Sequence, residues 1–99
     1  MQTLPLVIAA GHPAYAGHFP GQPVLPGVVL LDHAQLAIEQ AASVQLAGLA
    51  QAKFHRPVLP GDSLQLGWRQ DAASVSFVIT RGDEKVADGK FVLAAEPAA

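Results

Sequence analysis

The sequence predicts an α+β domain, an antiparallel sheet wrapped around one long central helix. Three observations carry that prediction. One apolar helical stretch follows a loop dense in proline and glycine, and the second half of the chain switches to a period of two. The length of 99 residues leaves room for a single core. Residues 1–99 are therefore read as one domain.

Residues 4–10 form an apolar run that reads as a first strand. From Gly11 to Gly27 the chain carries Pro13, Gly17, Pro20, Gly21, Pro23 and Pro26. Proline fixes φ and lacks a donor, so this stretch is neither helix nor inner strand. Loops of this length inside a small domain are usually functional, and the prolines limit the freedom lost on ordering one. Pro26 suits a first helical turn, where its missing N–H does no harm. The helix is expected to run to about Ala47, with Gly48 as its stop. Apolar residues surround its first two turns, which describes a helix enclosed by other structure.

Residues 50–57 read as a strand leading into the Pro60-Gly61-Asp62 turn. Leu64, Leu66 and Trp68 alternate with polar or small residues, as do Val75, Phe77 and Ile79, giving two half-buried strands. Arg81-Gly82-Asp83-Glu84 supplies turn chemistry. Residues 85–94 give a further strand with Gly89 as an expected bulge, and residues 94–99 a frayed tail.

Composition narrows the function. Apolar residues make up 51% of the chain and charged residues 14%, against about 25% charged in ordinary domains. So few charges leave apolar surface for a second subunit to cover, and the sheet needs cover for an edge strand. A homodimer is expected, with a heterodimer or higher oligomer as alternatives. The net charge of −2 and scattered basic residues give no nucleic-acid footprint. There is no cysteine, which excludes disulfides and thiolate catalysis. No apolar run reaches the roughly 18 residues of a membrane span, and the N-terminus lacks the basic region of a signal peptide. The expectation is a cytoplasmic protein.

Three residues stand out for chemistry. Asp32 lies past the first turn of the helix among Val28, Val29, Leu30 and Leu31. Burial there favours the protonated acid that a general acid must be; the plain alternative is a solvent-facing or paired aspartate. His18 lies in Ala16-Gly17-His18-Phe19-Pro20, where a histidine beside a rigid turn suits proton transfer near neutral pH. His12, His33 and His55 serve as controls: none has an acid partner suited to catalysis close in sequence. Gly27 stands at the helix N-terminus, where its N–H, with Val28 next to it, can donate to an anionic oxygen. No His-x-x-x-His or Glu-x-x-His pair is present, so no metal site is expected. No Gly-x-Ser-x-Gly elbow supports serine hydrolysis.

The segment from Gly17 to Asp32, Gly-His-Phe-Pro-Gly-Gln-Pro-Val-Leu-Pro-Gly-Val-Val-Leu-Leu-Asp, resembles the signature of the 3-hydroxyacyl-[acyl-carrier-protein] dehydratases. Lys53-Phe54-His55-Arg56-Pro57-Val58-Leu59-Pro60-Gly61-Asp62-Ser63-Leu64 resembles that family's second characteristic stretch. The resemblance implies a hot-dog fold, with His18 as the catalytic histidine, Asp32 as the catalytic acid and Gly27 polarising the thioester carbonyl. It implies Phe19, Pro20, Pro23 and Pro26 as loop-shaping residues, and a site whose two catalytic side chains meet across a dimer. No cofactor is implied beyond the phosphopantetheine arm that carries the substrate. The chain is shorter than the primary fatty-acid enzymes of that family and looks closer to the small dehydratases of aryl polyene or other secondary pathways. One departure stands out: where the family usually has glutamine one turn after the acid, this chain has Leu36.

The implied partner is an acyl carrier protein. Such carriers are acidic, and Lys53, Arg56, Arg69 and Arg81 are candidate docking cations. The alternatives are a hot-dog acyl thioesterase and a non-catalytic subunit of a dehydratase heterodimer.

Overall fold

Alternation in the second half of the chain builds the centre of the sheet. The computed structural model describes residues 1–15 and 24–94. In chain order these form strand β1 (Gln2–Leu6), a 3-10 turn (Pro13–Tyr15), helix α1 (Gly27–Ala42) and strands β2 (Leu46–Phe54), β3 (Leu64–Gln70), β4 (Ser74–Arg81) and β5 (Glu84–Leu93). All pairings are antiparallel, in the order β1-β3-β4-β5-β2, which leaves β1 and β2 at the edges. Pro5 sits in β1, where an edge strand tolerates a residue without a donor.

Leu66, Ile79 and Ala87 lie opposite one another across β3, β4 and β5 and are fully buried. Trp68 and Phe77 form the next rung, and Phe77 stacks on Phe91 with ring centroids 4.8 Å apart. Leu30, Ala34 and Ile38, at four-residue spacing on α1, complete the same apolar cluster. The sequence-predicted architecture of one helix and an antiparallel sheet is thus the observed one.

Several boundaries differ from expectation. Helix α1 ends at Ala42, not near Ala47, because Ser43 takes a left-handed conformation (φ 55°). The Glu39 side chain then accepts the Leu46 N–H at 2.9 Å, which fixes the start of β2. Leu46 lies eight residues beyond Ile38, so it continues the helical apolar spacing while being buried from a strand. Gly48 is not a helix stop: it lies within β2 opposite Val92. β1 ends at Leu6 rather than Ala10.

Gly89 is in register on both sides, opposite Ala52 and Phe77, and is not a bulge. The irregularities on that edge are in β2, which has one extra residue between Leu46 and Gly48 and another between Leu49 and Gln51. A side chain at Gly89 would instead collide with the Gln51 carbonyl and with the Phe77 ring at 2.9 Å. Close packing, not a bulge, demands glycine there.

The helix is not enclosed on all sides within one chain. Its stripe of Val28, Asp32 and Leu36 faces away from the core, with Val28 66% and Leu36 58% exposed. No helix among the described residues is long and apolar enough to cross a membrane.

Candidate active site

The two stretches that carry the resemblance are far apart in sequence but face one another in space. Val24 to Gly27 forms one wall of a pocket of about 450 Å³; Phe54 to Val58 forms the other, and Leu30 lies between them. The walls are tied together by the Leu25 N–H, which donates to the Val58 carbonyl at 2.9 Å. Both residues are buried, so the hydrogen bond is shielded from water.

Gly27 opens α1. Pro26 precedes it with φ −58° and ψ 141°, and the Pro26 carbonyl accepts the N–H groups of Val29 (3.0 Å) and Leu30 (3.2 Å). Among the described residues neither the Gly27 nor the Val28 N–H is hydrogen-bonded. Among those residues nothing competes with an incoming acceptor for these two donors at the positive end of the helix. The Phe54 ring lies over Gly27, so closely that a side chain at position 27 would begin inside its contact distance.

Asp32 is exposed in the single chain, so the desolvation anticipated from its apolar neighbours is not supplied by this chain's own core. Those neighbours divide by helix geometry: Leu30 turns inward, while Val28 shares the outward stripe with Asp32. His18, Phe19, Pro20 and Pro23 lie outside the described residues, as does the geometry of a His18–Asp32 pair. Pro26 lines the pocket beside Gly27.

The remaining histidines have local roles. His12 accepts the Ala14 N–H at 3.0 Å in the 3-10 turn, and its ring meets that of His33 edge-on. His33 is hydrogen-bonded to the Val29 carbonyl, 2.9 Å away on its own helix. His55 does have an acid partner, one remote in sequence: its Nε2 is 2.8 Å from Asp88 on β5. That hydrogen bond, with the charge of Lys85, holds the Asp88 carboxyl below the usual carboxylate range.

The four candidate docking cations differ in setting. Lys53 and Arg69 are exposed and, among the described residues, form no ion pair. Arg56 lines the pocket and lies 3.5 Å from Glu84. Arg81 bonds Asp62 and Glu84. The pocket contributions of Leu25, Phe54 and His55 went unforeseen. The second motif was visible in sequence, but its apposition to Gly27 is a tertiary fact. Among the described residues no three His, Asp or Glu side chains gather as a metal site.

The antiparallel sheet and its single helix are shared with solved hot-dog proteins. The chain is 26% identical to a component of the dehydratase heterocomplex ApeI:P from Xenorhabdus doucetiae, with a TM-score of 0.75 over 94% of this chain and 86% of that one. A thioesterase from Thermus thermophilus, solved with coenzyme A and zinc, is 18% identical with a TM-score of 0.68, over 96% of this chain and 78% of that one. The second likeness is one of fold alone. These comparisons define the hot-dog class.

A family model described as ApeI dehydratase, ApeI-like, matches residues 2–90. The chain belongs to this dehydratase family. It is also 34% identical to the 3-hydroxyacyl-[acyl-carrier-protein] dehydratase FabZ of Haemophilus influenzae (strain 86-028NP), over 88% of this chain and 69% of that protein. For several other curated relatives the matched share falls to about half of their length, as in the 47% of a second Haemophilus influenzae FabZ (strain PittEE).

Proposed function

We propose that this chain removes water from 3-hydroxyacyl thioesters carried on an acyl carrier protein, giving trans-2-enoyl thioesters. The observation that carries this reading is the Gly27 N–H, unbonded among the described residues, at the head of α1 on the wall of an apolar pocket. A thioester carbonyl placed there accepts that N–H as negative charge develops on its oxygen. Removing such a donor elsewhere costs roughly 3–4 kcal/mol of barrier lowering. His18 takes the proton next to the carbonyl, and the resulting electron pair forms the new double bond. The C–O bond to the 3-hydroxyl breaks as Asp32 in its acid form delivers a proton, and the hydroxyl leaves as water. Lys53, Arg56 and Arg69 are the cations offered to an acidic carrier.

The working unit in this reading is a dimer. Asp32 lies on an exposed stripe between Val28 and Leu36, and a second subunit laid on that stripe removes it from water and brings the opposing His18 to it. Leu36, one turn after Asp32, makes that contact apolar. A heterodimer in which this chain is the non-catalytic subunit is the second reading. It is favoured by the same exposed stripe, and the Xenorhabdus doucetiae relative was solved as a dehydratase heterocomplex.

Purified protein given a 3-hydroxyacyl carrier-protein thioester separates the readings. Conjugated enoyl thioester supports dehydration, free acid and thiol indicate a thioesterase, and no turnover until a partner chain is added indicates the heterodimer.

A further inference from the structure

The segment that walls the pocket opposite Gly27 is fastened at both ends by the β4–β5 hairpin. At its start, the N–H groups of His55 and Arg56 both donate to the Val86 carbonyl, at 2.8 and 3.3 Å. At its end sits Arg81, the last residue of β4. Its Nη1 donates to the Pro57 carbonyl (3.1 Å) and to Asp62 Oδ2 (2.6 Å), and its Nη2 to Glu84 Oε1 (3.1 Å). Asp62 Oδ2 also accepts the Leu59 N–H at 2.8 Å, closing the turn in which Gly61 has φ +85°. A planar guanidinium holds all these acceptors in one fixed arrangement, which a point charge does not.

Midway along the fastened segment, Val58 accepts the Leu25 N–H. Between Leu25 and Gly27 there is only Pro26, whose φ is set by its ring. The position of the Gly27 N–H is thus referred back, through few free torsions, to the segment that Arg81 holds. The charge of Arg81 is meanwhile matched by two carboxylates, Asp62 and Glu84, and its side chain is only 25% exposed. Such a group presents little field to an acidic partner.

We propose that Arg81 is a positioning residue for the Gly27 N–H, acting through the Pro57–Asp62 turn and the Val58–Leu25 hydrogen bond, and not a carrier-docking cation. Its catalytic consequence rests on the dehydratase reading; its structural part does not. The test uses the full chain with Arg81→Ala, Arg81→Lys and, should Arg81→Ala fail to fold, Asp62→Asn.

Amide hydrogen exchange reads the strut directly. In Arg81→Ala the Leu25 amide exchanges on the order of tenfold faster or more, while the Ala34 and Ile38 amides of α1 keep their rates. Arg81→Lys recovers part of the protection, and Asp62→Asn gives a smaller loss of the same pattern. Kinetics read the consequence. kcat falls on the order of tenfold to a hundredfold with a carrier-bound thioester and with a pantetheine thioester lacking the carrier, and KM stays near wild type.

Unchanged Leu25 exchange in the folded variants would overturn the proposal. So would an effect confined to KM for the carrier-bound substrate. If the wild-type protein does not dehydrate at all, the dehydratase reading fails while the exchange measurement still decides the strut.

Discussion

The Phe54 ring fills the space in which a side chain at Gly27 would begin: a Cβ there would stand 2.7 Å from Phe54 Cζ and 2.9 Å from Cε1. The two residues come from the two halves of the pocket, so glycine at position 27 and the aromatic ring at position 54 are fitted to each other. Gly27→Ala keeps the N–H but pushes the ring aside and crowds the approach to that donor. Dehydration is expected to fall on the order of tenfold to a hundredfold. Thermal stability changes little, because Phe54 is 51% exposed and is free to swing outward. Steady-state kinetics beside a melting curve check the contrast, and adding Phe54→Ala should restore part of the turnover.

Gly89 faces a harder obstacle, since one of its neighbours is the backbone carbonyl of Gln51. Gly89→Ala should cost about 1–3 kcal/mol of stability by overpacking. Gly48→Ala, with nothing within 4 Å, should be close to neutral. Urea unfolding of the two variants decides between close packing and a bulge at position 89.

The buried stripe of α1 gives a third expectation. Ile38 is fully buried in the core cluster, so Ile38→Ala should lose about 2–5 kcal/mol. Leu36→Lys, on the exposed stripe, should leave the stability of the single chain nearly unchanged. On the proposed dimer it should instead lower the native mass to that of the single chain and take turnover with it. A variant that stays dimeric and active would remove that stripe from the interface.

Acid stability follows from two carboxylates. The Asp71 carboxyl is held low chiefly by the N–H groups of Ala73 and Ser74, and the Asp88 carboxyl chiefly by His55. Because each folded value lies below the unfolded one, their stabilisation is fully present above the unfolded pKa of about 3.9 and is lost as pH falls through the folded value. Stability attributable to them is therefore steady near neutrality and declines only below about pH 4. Asp71→Asn and Asp88→Asn should each shallow that decline in melting curves run from neutral to acid pH. Superimposable acid profiles would contradict the assignment.

The sheet was legible because Leu64 to Trp68 and Val75 to Ile79 alternate cleanly, and because Gly61 and Gly82 mark turns that need positive φ. The helix end was not, since Leu46 extends the apolar spacing of Leu30, Ala34 and Ile38 although it belongs to a strand. Gly27 and Asp32 could be picked out from local sequence, but the surroundings of each depend on tertiary contacts. Phe54 covers one, and the other faces out of the single chain. The partnership of His55 with Asp88, and that of Arg81 with the Pro57–Asp62 turn, join residues whose separation in sequence leaves no local signal.

The central claim is tested most directly by single-turnover dehydration of a 3-hydroxyacyl carrier-protein thioester, comparing wild type with His18→Ala and Asp32→Asn. The account predicts enoyl thioester from the wild type and losses of about 10²- to 10⁴-fold in each variant with the wild-type native mass retained. Wild-type rates in either variant would contradict it.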